Sequence, residues 1–359
     1  MDAVSLNHEN LNRFVGQMLN DLGGAFSVSL VRIGNALGLY KALRDYGPMS
    51  SSELARKTGL AERYLREWLS HQAASNYLTY NPVTRKFALP PEQALVFADE
   101  ESELYLVDAF DAAVGYIENQ PKVEAAFKTG GGVQWTNQAG CLSCAIARFF
   151  RPGYQANIVD KWLPALDGVV DKLKRGAKVA DVGCGHGYST AIMAAAFPKS
   201  QFFGFDFDPN SIAAARKHAE EHAGPKGKLA NLTFEVAPAK EFPGTNYDLV
   251  TFFDCLHDMG DPAGAAAHVR KSIKPDGTWM IVEPFAHDEL ENNLNPVGRL
   301  YYAASTMTCV PTSLSQEVGA ALGAQAGESR LREVVRQGGF GSLRRAAETP
   351  FNLILEASV

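Results

Sequence analysis

The chain has 359 residues, with 34 Lys and Arg against 40 Asp and Glu and a formal net charge of −6 at pH 7. Hydrophobic residues make up 46% and aromatic residues 10% of it, which excludes an intrinsically disordered chain, and the acidic total argues against nucleic-acid binding by the whole chain. The length predicts two domains. Because no apolar run is long enough for a membrane helix and the N-terminal residues lack the basic and apolar regions of a signal peptide, we expect a cytoplasmic protein with no membrane association.

The N-terminal part of the sequence predicts several helices followed by a hairpin. Apolar residues at helical spacing occur over 11–22 and again over 30–43. A capped short helix over 51–60 and a helix over 61–75 follow them. Two short strands, 77–80 and 86–89, then flank the turn Asn81–Arg85. This is the order of a winged helix-turn-helix, so residues 1–100 are predicted to be a winged-helix domain.

The charge of this predicted domain leaves its purpose open. Residues 28–90 carry nine Lys and Arg against four Asp and Glu, so the region is basic within an acidic chain. A DNA-binding regulator is therefore one hypothesis. The presumed recognition helix, however, mixes Arg63 and Arg66 with Glu62 and Glu67, and this balanced set offers few phosphate contacts. Nucleic acid is accordingly not the partner that we expect.

The rest of the chain contains two regions with different predicted secondary structure. Residues 101–170 are predicted to be a helical connector, and from 171 to 359 short apolar strands alternate with amphipathic helices. That alternation predicts an α/β domain of Rossmann-like, doubly wound type with a mostly parallel sheet. The interval 284–330 interrupts the pattern and is interpreted as a helical cap over an acceptor site. Strands are predicted at 178–182, 202–206, 232–236, 247–253, 278–283, 342–346 and 351–356, and helices at 188–197, 209–222 and 262–273.

The most informative segment joins the first of these strands to its helix. Gly183, Gly185 and Gly187 let the backbone turn tightly and let a ligand approach, and the helix N-terminus that follows favours an anion. A dinucleotide fingerprint would require glycine where Tyr188 stands, which weakens an NAD-dependent oxidoreductase as an interpretation. Asp206, at the end of the next strand, is placed where a carboxylate accepts both hydroxyls of a ribose.

These motifs, with the strand that ends in Asp254, resemble the class I S-adenosylmethionine-dependent methyltransferases. With the winged helix, the chain resembles small-molecule O-methyltransferases of two-domain layout. The resemblance implies S-adenosyl-L-methionine as cofactor, a small organic acceptor, direct in-line methyl transfer to a hydroxyl, and a homodimer formed through the N-terminal region. It assigns cofactor-binding roles to Asp181, Gly183, Gly185 and Gly187 (the methionine end), Asp206 (ribose), Phe207 (adenine packing) and Asp254 (the amino-acid moiety).

A candidate base follows the same strand. The segment that contains His257 resembles the H-D-W-x-D segment of plant-type O-methyltransferases, whose His is the catalytic base, although Met259 replaces the Trp here. Neutral imidazole suits deprotonation of a hydroxyl near pH 7. The alternative is that His257 only lines the cofactor site. Two acids compete as the group that orients the base, Glu328 before the closing Gly-Phe turn and Glu283 at the end of the fifth strand.

Two further expectations concern what the site contains. Many relatives carry an acid that receives the adenine amino group, but this chain has Ala237-Pro238-Ala239 there, so backbone groups or Lys240 are predicted to hold adenine. No metal motif is evident, and a metal-free site is expected.

Overall fold

The computed structural model describes residues 6–140, 142–222 and 229–359, with the side chains of residues 221 and 222 left out. The chain separates into two compact units, the first ending at Val114 and the second beginning at Gly115. The domain limits predicted from the sequence, 1–100, 101–170 and 171–359, stay predictions.

The first unit confirms the predicted winged helix-turn-helix order. Its short helix α3 begins with a capping box between Ser50 and Glu53 and ends at Gly59 in the left-handed conformation, the start and stop signals that the sequence contains. The elements are α1 (His8–Ala36), α2 (Leu39–Tyr46), α3 (Ser51–Thr58), α4 (Glu62–Ala74), β1 (Thr79–Asn81), β2 (Lys86–Ala88) and α5 (Pro91–Phe97), and α6 (Val107–Thr129) crosses the boundary between the units.

The start of the first unit differs from the prediction of two helices over 11–22 and 30–43. Helix α1 runs through both intervals, and the break comes later, at Gly38, whose φ of +66° is a left-handed conformation that glycine adopts without strain. The apolar stripe over 30–43 therefore belongs to two helices. Tyr40 and Leu43 of α2 are buried in the core, whereas Ile33 of α1 is exposed.

Helix α1 exposes a row of large apolar side chains on the described surface of the first unit. They are Leu11, Phe14, Val15, Met18, Leu19, Leu22 and Phe26. Within the described residues no helix by itself is long and apolar enough to cross a membrane; α1 and α2 meet that criterion only as a pair bent by 63°.

The second unit is built on a seven-stranded sheet. Its elements after α6 are α7 (Leu142–Asn157), α8 (Val169–Arg175), β3 (Lys178–Val182), α9 (Tyr188–Ala196), β4 (Gln201–Asp206), α10 (Pro209–His222), β5 (Leu232–Val236), β6 (Tyr247–Phe253), α11 (Pro262–Ser272), β7 (Ile273–Pro284), α12 (Pro296–Ala304), α13 (Val310–Leu314), α14 (Gly327–Gln337), β8 (Ser342–Glu348) and β9 (Asn352–Ser358).

The strand order is β5-β4-β3-β6-β7-β9-β8, in which β5 to β7 are parallel and β9 is antiparallel to both β7 and β8. The predicted doubly wound, mostly parallel sheet is confirmed. Successive residues of β3 alternate between the two faces, with Val179 in one apolar cluster and Ala180 in the other. The order reverses between β3 and β6, so a crevice opens at the carboxyl ends of these two strands, where open α/β sheets bind ligands.

Candidate active site

The glycine loop after β3 forms one wall of this crevice. Gly183, Gly185 and Gly187 all have φ between +51° and +74°. Gly183 and Gly185 line the cavity. Gly187 does not: a Cβ atom there would lie 2.6 Å from the ring of Phe234 and 2.8 Å from Cβ of Ala215. Glycine is therefore required at this position for close packing between α9 and its neighbours, and the role of Gly187 in the loop that holds the cofactor stays a prediction.

Asp181, the second-to-last residue of β3, links the strand before the loop to the helix after it. Its carboxylate accepts hydrogen bonds from Ser189 at 2.7 Å, Thr190 at 2.6 Å and Thr251 at 2.8 Å. Burial raises the pKa of Asp181 to about 6, although these hydroxyls favour the charged form. Asp181 is 1% exposed and lies outside the cavity lining, so in this structure it positions the loop, and its predicted role in cofactor binding stays a prediction.

Asp206 ends β4 beside the glycine loop, as predicted. Its carboxylate accepts the backbone N–H groups of Gly185 and Asp208, both at 2.9 Å, and it lines the cavity while being 8% exposed. Burial raises its pKa to about 6. Because a carboxylate offers about four acceptor directions and two are taken by these amides, two remain for vicinal hydroxyls. Phe207 lies next to it, half-exposed and also in the cavity wall.

Asp254 follows β6 on the opposite wall. It has a φ of +49°, and its two oxygens accept Tyr154 Oη at 2.7 Å and Asn352 Nδ2 at 2.9 Å. Burial raises the pKa of Asp254 to about 8. Asp254 and Tyr154 both line the cavity, as does Trp135. The sequence gave no signal for Asn352, which comes from the last described strand.

The turn Leu256–Asp258 after β6 carries the predicted base. His257 Nδ1 lies 2.6 Å from Oε2 of Glu283, whose Oε1 accepts the backbone N–H of Leu256 at 2.9 Å. His257 Nε2 lies 3.2 Å from Oδ1 of Asp258. Glu283, at the end of β7, is 1% exposed. The imidazole is therefore buried and held between two carboxylates.

Glu328 does not take part in this arrangement. It begins α14, and its carboxylate pairs with Arg332 at 2.6 Å and with Arg345 at 2.8 Å. The prediction that Glu328 orients His257 is corrected to Glu283, the alternative from the sequence. The physical reason is that β7 pairs directly with β6, so its end meets the turn that follows β6.

The cavity, about 260 Å³ in volume, also contains residues from the connector and from the predicted cap. Ala237, Pro238 and Ala239 lie in its wall, as the adenine hypothesis requires, but the ammonium of Lys240 is held by Asp261 at 3.0 Å and Glu317 at 2.9 Å. The other lining residues include Ser143, Ile146, Ala147, Phe150, Cys184, Cys255, Asp258, Met259, Thr312 and Gln316.

Three potential metal-binding side chains also meet at this turn. In the part of the chain that the structure describes, donor atoms of His257, Asp258 and Cys309 lie within 4.8 Å of one another. The expectation of a metal-free reaction stays a prediction.

The residues present fit S-adenosylmethionine. Asp206 keeps two acceptor directions open into the cavity beside the ring of Phe207, which suits a ribose joined to a planar base. Gly183 and Gly185 bring backbone to the cavity wall without a side chain, which suits the amino-acid end of the ligand.

Two family profiles match the chain. Residues 173–339 match a methyltransferase domain, and residues 25–98 match an Rv2258c-like winged helix-turn-helix domain. The two matched segments fall one in each compact unit.

Among curated relatives, the chain is 29% identical over 153 residues to the ubiquinone biosynthesis O-methyltransferase of Leptothrix cholodnii, covering 42% of this chain and 61% of that protein. It is 27% identical over 238 residues to phosphoethanolamine N-methyltransferase 3 of Arabidopsis thaliana, covering 61% of this chain and 47% of that protein. The chain thus spans less than two thirds of the length of either relative.

Solved structures share the fold over nearly the whole chain. A structure of a putative O-methyltransferase from Nostoc punctiforme has a TM-score of 0.70 at 16% identity and covers 95% of this chain and 98% of its own. Human N-acetylserotonin methyltransferase in complex with S-adenosylmethionine has a TM-score of 0.68 at 15% identity, covering 100% of this chain and 99% of its own.

Proposed function

We propose that this chain, whose residues 173–339 match a methyltransferase domain and whose residues 25–98 match a winged helix-turn-helix domain, is an S-adenosylmethionine-dependent methyltransferase that transfers a methyl group to a hydroxyl of a small organic acceptor. The observation that carries the proposal is one cavity lined both by the cofactor cradle, Gly183, Gly185 and Asp206, and by the turn that bears Asp258. A relative named as an O-methyltransferase supports oxygen as the acceptor atom, and one named as an N-methyltransferase makes nitrogen the alternative.

The chain's own residues have to bind and orient the two reactants. When bound, S-adenosylmethionine supplies an electrophilic methyl group on a sulfonium. Asp206 accepts the ribose hydroxyls, and the glycine loop holds the amino-acid end. Thr312 and Gln316, from the segment between β7 and α14, line the same cavity and contact the acceptor side in this proposal. Holding two reactants in line supplies most of the acceleration in such a transfer.

Two measurements test the proposal. Calorimetry with S-adenosylmethionine and with NAD⁺ should give binding to the first only. Incubation with methyl-labelled S-adenosylmethionine and a fractionated metabolite extract should then give a labelled product whose mass spectrum locates the methyl on oxygen. Binding of NAD⁺ alone, or the absence of any labelled product from every fraction, would contradict the proposal.

DNA-binding regulation remains the competing hypothesis, and the surface of α4 disfavours it. Arg63 pairs with Glu67 at 2.5 Å, and Arg66 pairs with Glu62 at 2.9 Å, so both arginines are neutralised within their own helix. An electrophoretic shift of DNA that disappears on Arg63→Glu with Arg66→Glu would favour the regulator instead.

We also propose that the chain forms a homodimer through α1. The exposed apolar row of α1, with Phe14 and Leu22 among its members, suits a second copy of the same helix, and the resemblance implies such a dimer. Light scattering should give a dimer that Phe14→Glu dissociates, whereas Val83→Glu, at an exposed apolar position of the hairpin turn, should not. A monomeric native chain would contradict it. The cytoplasmic location is a prediction that cell fractionation tests.

A further inference from the structure

Two neighbouring side chains in the turn after β6 face different surroundings. The side chain of His257 is 5% exposed, and His257 is not among the residues that line the cavity. The side chain of Asp258 is 21% exposed, and Asp258 lines the cavity. A group that removes a proton from a bound acceptor has to reach it within hydrogen-bond distance, so Asp258 is placed for that contact and His257 is not.

The protonation state of His257 follows from its two neighbours. Each ring nitrogen faces a carboxylate oxygen, Nδ1 that of Glu283 at 2.6 Å and Nε2 that of Asp258 at 3.2 Å. Burial by itself lowers the pKa of His257, but the two carboxylates outweigh it and raise the pKa well above its ordinary value. An imidazolium donates from both nitrogens and has no lone pair with which to accept a proton.

Asp258 has the properties that a base at this position needs. Burial raises the pKa of Asp258, and the charge of His257 opposes that rise in part, so the carboxylate is more basic than an exposed one. Its Oδ1 is buried, accepts no hydrogen bond from the described residues and lies 3.2 Å from Nε2 of His257, and the carboxyl group as a whole also receives a hydrogen bond from Cys309 that lowers its pKa. The titratable groups that face Asp258 are His257, Glu283 of β7, Cys309 of the turn before α13, Tyr116 of α6, and Asp254 and Cys255 beside the turn.

We propose that Asp258 is the catalytic base and that His257 and Glu283 are positioning residues that hold it in place. This rests on the proposed function. As the acceptor oxygen bonds to the methyl carbon, the carbon–sulfur bond breaks and its electron pair stays on sulfur, which becomes a neutral thioether. The hydroxyl proton passes to Asp258, which loses it to water after the product leaves.

The first experiment needs no acceptor. Long-range ¹H–¹⁵N NMR of the imidazole nitrogens, assigned by the signal lost in His257→Gln, reports whether His257 is doubly protonated. At pH 7.5 we expect an imidazolium in the native chain and a neutral ring in Asp258→Asn, because one carboxylate is then gone. A neutral ring with a free Nε2 in the native chain would overturn the proposal.

The second experiment measures turnover with labelled S-adenosylmethionine and 4-nitrophenol as hydroxyl probe. Asp258→Asn should lower kcat by roughly 10²–10⁴-fold with cofactor affinity retained. His257→Gln should lower kcat by a smaller factor. It should also move the acid limb of the pH–rate profile to higher pH, because the imidazolium no longer lowers the pKa of Asp258. Glu328→Gln, on the exposed ion pairs of α14, is the matched acid control and should leave turnover within a factor of two.

Three outcomes of that assay would contradict the assignment of Asp258 as the base. The first is a loss of kcat below threefold in Asp258→Asn. The second is a loss of kcat in His257→Gln that is as large as in Asp258→Asn and is restored by free imidazole. The third is activity that EDTA abolishes and Zn²⁺ restores, because His257, Asp258 and Cys309 would then form a metal site. If the native chain binds S-adenosylmethionine but methylates no acceptor at all, the proposed function fails, and the NMR result still decides which residue holds the proton.

Discussion

Among the described residues, only the second of the two compact units buries acidic side chains. In the first unit, pairs such as Arg63 with Glu67 lie at the surface, 66% and 70% exposed. In the second, Asp181, Asp206 and Glu283 are at most 8% exposed, and each is held by defined donors around one cavity. Exposed pairs contribute little to stability, whereas buried charges with fixed partners define a site. Substitutions around the cavity of the second unit should therefore change stability and cofactor binding much more than substitutions at the surface of the first unit.

The largest effect on stability is expected for Gly187→Ala. The new Cβ would collide with Phe234 and Ala215 at a left-handed φ, so the free energy of unfolding should fall by about 3 kcal/mol. Urea unfolding measures it. Gly16→Ala in α1, where a Cβ meets nothing within 4 Å, is the matched control and should be neutral or stabilising by up to about 1 kcal/mol. Equal effects at the two positions would remove the contrast between the units.

Asp206→Ala should weaken S-adenosylmethionine binding by about 10-fold or more, since charge-assisted hydrogen bonds contribute roughly 1.5–3 kcal/mol. Calorimetry measures it. Asp208→Ala is the control, because Asp208 caps α10 through Ser211 and is outside the cavity lining, so affinity should be retained while stability falls by about 1 kcal/mol. Unchanged affinity in Asp206→Ala would rule out the ribose contact.

The buried acids also predict how stability depends on pH. The pKa of Asp254 is about 8 in the fold and lies near its model-peptide value of about 3.9 in the unfolded chain, so between these values the folded state binds more protons. Stability should therefore fall as pH rises from about 4 to about 8. In Asp254→Asn the part of this fall between pH 6 and 8 should shrink, as urea unfolding at each pH would measure. A native curve that rises over this interval, relative to Asp254→Asn, would contradict the burial argument.

The smallest effect is expected in the first unit. Glu67→Ala removes an exposed i,i+4 pair on α4 and should change the free energy of unfolding by no more than about 0.5 kcal/mol. Thermal or urea unfolding checks this. A loss above 2 kcal/mol would mean that surface pairs of the winged helix matter as much as the buried charges do.

The sequence predicts what depends on local pattern. The strands over 178–182 and 247–253 occur at the predicted limits, because a short apolar run bounded by turns specifies a buried parallel strand. The glycine loop and Asp206 are adjacent for the same reason, since they follow neighbouring strands.

The sequence pattern does not show which distant strands pair with each other. The choice between Glu283 and Glu328 depends on β7 lying beside β6, and the contact of Asn352 with Asp254 depends on β9 pairing with β7. Which way His257 and Asp258 face depends on the packing of a single turn. Periodicity carries no information on any of these contacts.

The position of β9 has a consequence for how the protein is made. β9 is the last strand along the described chain, but it is inserted between β7 and β8, and its first residue, Asn352, holds one oxygen of Asp254. While the chain emerges from the ribosome, one edge of β7 has no partner strand, and Asp254 lacks its contact with Asn352, until β9 has been synthesised. We therefore expect the cofactor pocket to be completed late in synthesis, and the unpaired edge of β7 to be open to aggregation until then.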